Sequence, residues 1–257
     1  MLRRRRIWQC NEPPAAARER SPPRAAGFFP MKIAAPKETL PGERRVALVP
    51  GSCKKLIQAG MEVHMESGAG SEAFFTDAEY RDAGAQPIPD AGAVLGAGDL
   101  ILKVQPPTRS EIERMREGAM LLATLMPLRN LDAVRALADR RITAFSTDAI
   151  PRITRAQAMD TLSAMANISG YKSVLIAAAE LPKYFPMFMT AAGTVFAARV
   201  FVIGAGVAGL QAIATAKRLG ANVVATDVRP EVKEQIESVG AKYVGVPLRE
   251  ATSSAGG

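Results

Sequence analysis

The chain has 257 residues, 48% of them apolar and 23% charged, ordinary proportions for a globular protein of at most two domains. Its net charge of +8 is uneven: residues 1–30 hold seven arginines and two glutamates, which leaves only +3 for the rest. No basic helix or aromatic–basic stripe follows Met31, which argues against nucleic acid as a partner. With one histidine, His64, and two cysteines, Cys10 and Cys53, that form no CxxC, neither a disulfide framework nor a metal site is expected.

Residues 1–30, "MLRRRRIWQCNEPPAAARERSPPRAAGFFP", lack the apolar core of a secretory signal. Their two glutamates and five prolines oppose an amphipathic transit helix. A disordered extension is expected, translated from a start upstream of the natural one. From Met31 the pattern becomes regular. "MKIAAP" reads as a strand and Pro50–Gly60 as a helix opened near proline and stopped by glycine. "MEVHMES" reads as a strand, Thr76–Gly84 as a helix with a threonine cap, and "DLILKV" (Asp99–Val104) as a strand covered on both faces. The segments "SEIERMREG", "AMLLATL", "NLDAVRALADRR" and "ITAFSTDAI" continue the alternation. Strands alternating with helices imply parallel pairing and right-handed crossovers. Residues 31–150 are therefore expected to be one α/β domain. The longest apolar run, Ala119–Leu125, is strand-sized, far below the roughly 18 residues of a membrane helix.

Arg152–Leu181 is helix-compatible and is ended by Pro182 and Pro186, so residues 151–190 are expected to be a linking helix. Its start, "PRITRAQAMDTLS", gathers Arg152, Gln157, Asp160 and Ser163. On an α-helix Gln157, Asp160 and Ser163 would share one face. Spacing alone leaves two readings open, a solvated polar face or a functional one.

Residues 191–248 read as the first half of a Rossmann domain: strand 199–204, helix 206–219, strand 222–227, helix 230–239, strand 241–246. A full dinucleotide fold needs a second half, and the tail 249–257, "REATSSAGG", does not resemble the helix that should follow. The expected fold class is α/β with two Rossmann-like parallel-sheet domains, the second incomplete, as in a truncated or frame-shifted product. The opening turn, Gly204-Ala205-Gly206-Val207 with Gly209, follows an apolar strand and opens an alanine-rich helix. Gly204 permits the tight turn, Gly206 lets a pyrophosphate approach the backbone, and Gly209 allows close helix–strand packing. The helix N-terminus offers N–H donors to phosphate. Asp227, 18 residues past Gly209 at the next strand's tip, is placed to accept bonds from a ribose diol, favouring NAD over NADP. Arg229, two residues on, blurs that preference without reversing it.

With "PKETLPGERRVALVP", "LILKVQPP", "PRITRAQAMD", "MTAAGTV" and "GAGVAGLQAIATAKRLGANVVATDVR" assembled, Met31 to about Leu248 resembles the NAD(H)-binding component of proton-translocating nicotinamide nucleotide transhydrogenases. That family shares its architecture with alanine dehydrogenase. Met31 coincides with the start the resemblance implies. The dehydrogenases use a lysine in a "KVKEP"-like stretch and a histidine in an "LHL"-like stretch. Here "KVQPP" and "LMPL" put Gln105 and Met126 at those places, and neither can exchange a proton near neutral pH. Arg45 matches a substrate-binding arginine, which alone would be an anion contact or a structural ion pair.

The resemblance implies a chemistry that needs no acid or base. Passing hydride between two nicotinamides moves no proton at the reacting carbons, so the protein must supply placement, with the two C4 atoms about 3–3.5 Å apart. By the same resemblance Arg152, Gln157 and Asp160 hold the nicotinamide and its ribose, with Ser163 beside them. NADP(H) would bind a separate beta component, and a membrane-spanning component would couple the transfer to proton movement. The resemblance also implies a homodimer, held peripherally on the cytoplasmic face of the inner membrane through those partners. Two other readings remain: an NAD-dependent dehydrogenase of the alanine type, and an inactive fragment that merely binds nucleotide.

Overall fold

The computed structural model describes residues 30–245. The expected N-terminal extension, apart from Pro30, and the 249–257 tail lie outside the described residues.

Six short strands build the first sheet: β1 (Lys32–Ala35), β2 (Glu62–Glu66), β3 (Gln86–Ile88), β4 (Leu100–Leu102), β5 (Met120–Ala123) and β6 (Thr143–Ser146). They lie in the order β3-β2-β1-β4-β5-β6, and every neighbouring pair is parallel. Five helices connect them: α1 (Pro50–Gln58), α2 (Asp77–Asp82), α3 (Ala91–Ala97), α4 (Arg109–Arg114) and α5 (Leu131–Asp139). Alternate residues of β1 point to opposite faces, as a pleated strand requires. Ile33 and Ala35 join a core with Cys53, Val63, Met65 and Tyr80, while Ala34 joins Val94, Ile101, Ile112 and Leu121 on the other side. Both faces are thus covered, which explains the apolar "LIL" of β4. Burial pushes the Cys53 thiol up to about 11, so it behaves as a small apolar side chain.

Local chemistry sets the helix starts. Thr76 and Thr108 each cap a helix reciprocally with the glutamate three residues on, Glu79 and Glu111. Two elements go beyond the sequence-based expectation. The edge strand β3 contains Pro87, which cannot donate to a ladder and is tolerated only at an edge. Helix α3 contains Gly92 and Gly96 and starts at Asp90, whose carboxylate accepts the Ala93 amide at 2.6 Å. The strand expected over 142–150 stops at Ser146 and continues as a 3-10 turn, Thr147–Ala149.

The expected linking helix is also shorter. Residues Thr154–Met159 form a 3-10 turn, and α6 runs only over Thr161–Glu180. An antiparallel hairpin follows, β7 (Phe188–Thr190) with β8 (Gly193–Val195), which the sequence reading did not assign. The next unit is β9 (Arg199–Ile203), α7 (Val207–Arg218), β10 (Asn222–Thr226), a 3-10 turn (Pro230–Val232), α8 (Lys233–Ser238) and β11 (Lys242–Tyr243). Its sheet is parallel with order β11-β10-β9, the same arrangement as β3-β2-β1. Among the described residues no helix is long and apolar enough to cross a membrane.

In the first sheet the strand order reverses between β1 and β4, the point where open α/β sheets leave a crevice. Here a polar network fills it. Lys103, just past β4, places its Nζ 2.8 Å from Glu111 Oε1 and 3.2 Å from Glu38 Oε2, with the Lys103 side chain 1% exposed. Glu38 also accepts the Val104 amide at 2.6 Å. Beside it, Glu43 accepts the Arg45 guanidinium at 2.7 and 2.6 Å and the Gln105 amide group at 2.6 Å. The Arg45 guanidinium draws the Glu43 carboxyl down from near 4.5 to about 2.

Removing one member of a buried ion cluster leaves uncompensated charge. Lys103→Met should therefore cost about 3–5 kcal/mol in urea unfolding, whereas Glu113→Ala, which breaks only the exposed Arg109–Glu113 pair, should cost ~0.5 kcal/mol. A Lys103→Met variant as stable as the parent would show that the cluster is not a structural staple. Because the folded-state pKa of Glu43 is depressed, its contribution is complete above about pH 4.5 and disappears as pH falls toward about 2. The urea midpoints of the parent and Glu43→Gln should accordingly differ at pH 7 and converge only as pH falls below about 2.

Candidate functional site

The second parallel unit opens with Gly204, whose φ of +91° suits glycine and turns the chain sharply out of β9. At Gly209 a Cβ would lie 1.8 Å from the Gly204 carbonyl oxygen, so only hydrogen fits where α7 meets the turn. At Gly206 a Cβ would meet nothing within 4 Å. The turn's outer side is open, and the first-turn amides of α7 lack intrahelical acceptors by construction. Such an arrangement, with the dipole's positive end, is suited to an anionic phosphate.

Asp227, at the end of β10, is bound into this turn more firmly than the sequence suggested. One carboxylate oxygen accepts the Ala205 amide at 2.6 Å and Arg229 Nη2 at 3.2 Å. The other accepts the Arg229 amide at 2.9 Å and Nε at 3.0 Å. Arg229 above all, with the Ala205 amide, holds the Asp227 carboxyl well below the usual carboxylate range, so it is ionised. The four donors occupy both oxygens, so a ribose diol must share Asp227 with Arg229 rather than find it free. The same contacts keep the Arg229 guanidinium engaged, removing the cation that a 2′-phosphate would seek.

Opposite the turn runs α6. Ser163, Ala166, Gly170 and Ser173 fall on one helical face and line, with the turn and Asp227, an open crevice of about 940 Å³. Arg152 enters it from the chain preceding α6, and Val228, Glu231 and Gln235 complete the far end. Of the residues singled out from sequence, the crevice brings together Arg152, Ser163, Gly204, Ala205, Gly206, Val207, Gly209, Asp227 and Arg229. Gln157 and Asp160 do not line it. Gln157 is exposed in the 3-10 turn. Asp160 caps α6, accepting the Ser163 amide at 2.8 Å and its hydroxyl at 2.6 Å, bonds that lower its carboxyl pKa. The shared α-helical face expected for Gln157, Asp160 and Ser163 is thus replaced by a turn, a cap and a first helical turn.

Apart from Ser163, the small residues of α6 were not recognised from sequence, although Ala166, Gly170 and Ser173 recur with it at helical spacing and carried that signal. His64 is buried in β2, and its Nδ1 has no hydrogen-bond partner among the described residues. It does not line the crevice. Nor does Met126, whose backbone is left-handed at φ +45° and whose amide is held by Asp148. Gln105 is committed to Glu43, and Arg45 forms the structural ion pair rather than a free anion contact. No group of three or more potential metal ligands occurs among the described residues.

Comparison with known proteins agrees with this geometry. Residues 34–169 match the model of the alanine dehydrogenase/PNT N-terminal domain, and residues 173–255 match that of the C-terminal domain. The chain is 51% identical over 221 residues to the first part of the NAD(P) transhydrogenase alpha subunit of Rhodospirillum rubrum, covering 84% of this chain and 58% of the relative. It is 31% identical over 212 residues to alanine dehydrogenase 2 of Staphylococcus aureus, covering 81% and 56%. Among solved structures, a transhydrogenase from Sinorhizobium meliloti superimposes with a TM-score of 0.81 at 50% identity, over 84% of this chain and 62% of that one. An L-alanine dehydrogenase superimposes with a TM-score of 0.74 at 27% identity, over 84% and 61%. The chain thus spans less than two thirds of the length of each of these relatives. The two family models together cover most of its length, and the chain belongs to the alanine dehydrogenase/PNT family.

Proposed function

We propose that the chain binds NAD(H) in the crevice between α6 and the β9–α7 turn and presents it for direct hydride transfer to NADP held on a partner component. The dinucleotide supplies the hydride at its nicotinamide ring. The residues of this chain bind and orient it. The turn from Gly204 to Gly209 and the α7 N-terminus take the pyrophosphate, while Asp227, shared with Arg229, takes the adenosine ribose. Arg152 and Ser163 line the wall assigned to the nicotinamide half. Gln157 and Asp160 take part through the placement of the segment that carries Arg152, Asp160 by capping α6.

One observation carries this reading over a dehydrogenase: among the described residues the crevice lining contains no histidine, lysine, tyrosine or cysteine. Its carboxylates, Asp227 and Glu231, lie with β10 and the chain that follows it, at the end assigned to adenosine. Alanine oxidation must remove a proton as well as a hydride, and hydride exchange between nicotinamides need not. The identity to transhydrogenase alpha subunits, 51% against 31% for an alanine dehydrogenase, supports the same choice. The proposal extends to the rest of that assembly: an NADP(H)-binding beta subunit, a membrane-spanning subunit that couples transfer to proton translocation, and a peripheral position on the cytoplasmic face of the inner membrane. It includes a homodimer, supported by the exposed apolar side chains around the β7–β8 hairpin, Met187, Met189 and Phe196.

The decisive assay mixes the chain with an NADP-binding transhydrogenase component and follows NADH-dependent reduction of a thio-NADP analogue. Turnover that requires both proteins and is indifferent to added alanine or pyruvate is expected. Alanine-dependent NADH formation by the chain alone would establish the dehydrogenase instead. Asp227→Asn should weaken NADH binding about tenfold, because a bond to a charged acceptor is lost, while the amide oxygen can still accept from Ala205. Its melting temperature should fall by about 3–8 °C, since the Arg229 ion pair is lost as well, without unfolding the protein. Collapse of stability together with affinity would make Asp227 only a latch of the turn.

A further inference from the structure

Helix α6 meets α7 at one point of closest approach. Gly170 is one of two buried residues on α6, and a Cβ there would lie 2.1 Å from the Ala208 carbonyl oxygen and 3.0 Å from Ala208 Cα. The obstacle is backbone in the first turn of α7, so it cannot swing aside as a flexible side chain would. Gly209 occupies a matching place on the other side of the same turn, against the Gly204 carbonyl. The first turn of α7 is therefore held between two notches that admit no side chain, one within its own unit and one on α6. One turn before Gly170, Asn167 Nδ2 donates to Gln211 Oε1 at 3.1 Å and bridges the same two helices. Helix propensity disfavours glycine at a helix interior, so the residue stands there against local preference.

We infer that Gly170 is a positioning residue for the dinucleotide: it sets the distance between the phosphate-binding turn and the wall that carries Ser163 and Arg152. This rests on the proposed NAD(H) reading and deepens it. The turn, α7 and Asp227 are tied together by the Gly209 contact and the Ala205–Asp227 bond, and Val174 of α6 packs into the core beneath them. Helix α6 carries the opposite wall, and its N-terminus is fixed by Asp160 beside the segment that contains Arg152. A methyl group at position 170 pushes α6 away from the first turn of α7 at that contact and leaves the Gly209 contact and the Ala205–Asp227 bond untouched. The ADP half of the dinucleotide then keeps its contacts, while the nicotinamide half no longer spans to its wall.

The test is Gly170→Ala in the full 257-residue chain, with NADH binding followed by its fluorescence and ADP binding by calorimetry. The expected result is loss of NADH affinity by about tenfold or more, since an ångström-scale displacement is enough for that, with ADP affinity changed less than about threefold. A purely structural glycine would lower both affinities together, and that outcome overturns the inference, as does no change in either. If Gly170→Ala does not fold, Asn167→Ala removes the neighbouring bridge without adding bulk. It should give the same separation on a smaller scale, about threefold on NADH and none on ADP, and its absence would overturn the inference. A parent chain that binds ADP but not NADH would instead overturn the functional reading itself, and this inference with it.

Discussion

No Cβ fits between the Gly204 carbonyl and the first turn of α7. This closeness aligns the end of β9 with the helix axis, so the strand hands the chain directly to a helix whose free amides face outward. Closeness on one side and openness on the other follow from the same turn. Gly209 is forced by contact, Gly204 by its dihedral angle, and Gly206 by neither within the protein itself. The open space at Gly206 acquires a reason only when a ligand lies against the backbone.

Asp227 shows how one charge can serve two purposes. Its bond to the Ala205 amide ties the tip of β10 to the turn after β9, and its ion pair with Arg229 directs the chain that follows. A carboxylate held this firmly stays ionised over the whole working pH range, with its charge matched by Arg229 and its side chain only 5% exposed. Neutralising Arg229 in place also removes the nearest attraction for a second phosphate. On the proposed reading, discrimination between the two dinucleotides would arise from an internal ion pair more than from an unoccupied acceptor.

Much of this was legible in the sequence, for reasons that differ by element. The strands β1, β2, β4 and β5 carry strong periodicity, α2 and α4 carry threonine caps, and the glycine turn carries its own spacing. The edge strand β3 was illegible because Pro87 contradicts strand propensity, and α3 because Gly92 and Gly96 contradict helix propensity. Burial against the β1 core overrides both. The 3-10 turn at Thr154–Met159 and the cap at Asp160 were misread as continuous helix, since hydrophobic spacing cannot distinguish a tight turn from an α-turn over six residues. Gly170 left no mark beyond small-residue spacing, because its significance lies in a backbone from another segment 38 residues away in sequence.

The first sheet has a crevice of its own, where the order reverses between β1 and β4, and it is filled by the protein's own charges. Lys103, Glu38 and Glu111 satisfy one another, and Arg45 and Gln105 satisfy Glu43. A small acid entering there would have to break a bidentate pair whose carboxylate is already drawn far down in pKa. It would find no side chain able to take its proton at Gln105 or Met126. On the proposed reading the two sheets therefore divide the work. The second, with α6 packed on its core, binds a dinucleotide, and the first keeps its polar edge closed on itself and meets α6 at its N-terminus, where the Thr161 hydroxyl donates to the Thr147 carbonyl. Reactivity would then be governed by distance between two units, which a single glycine contact can set.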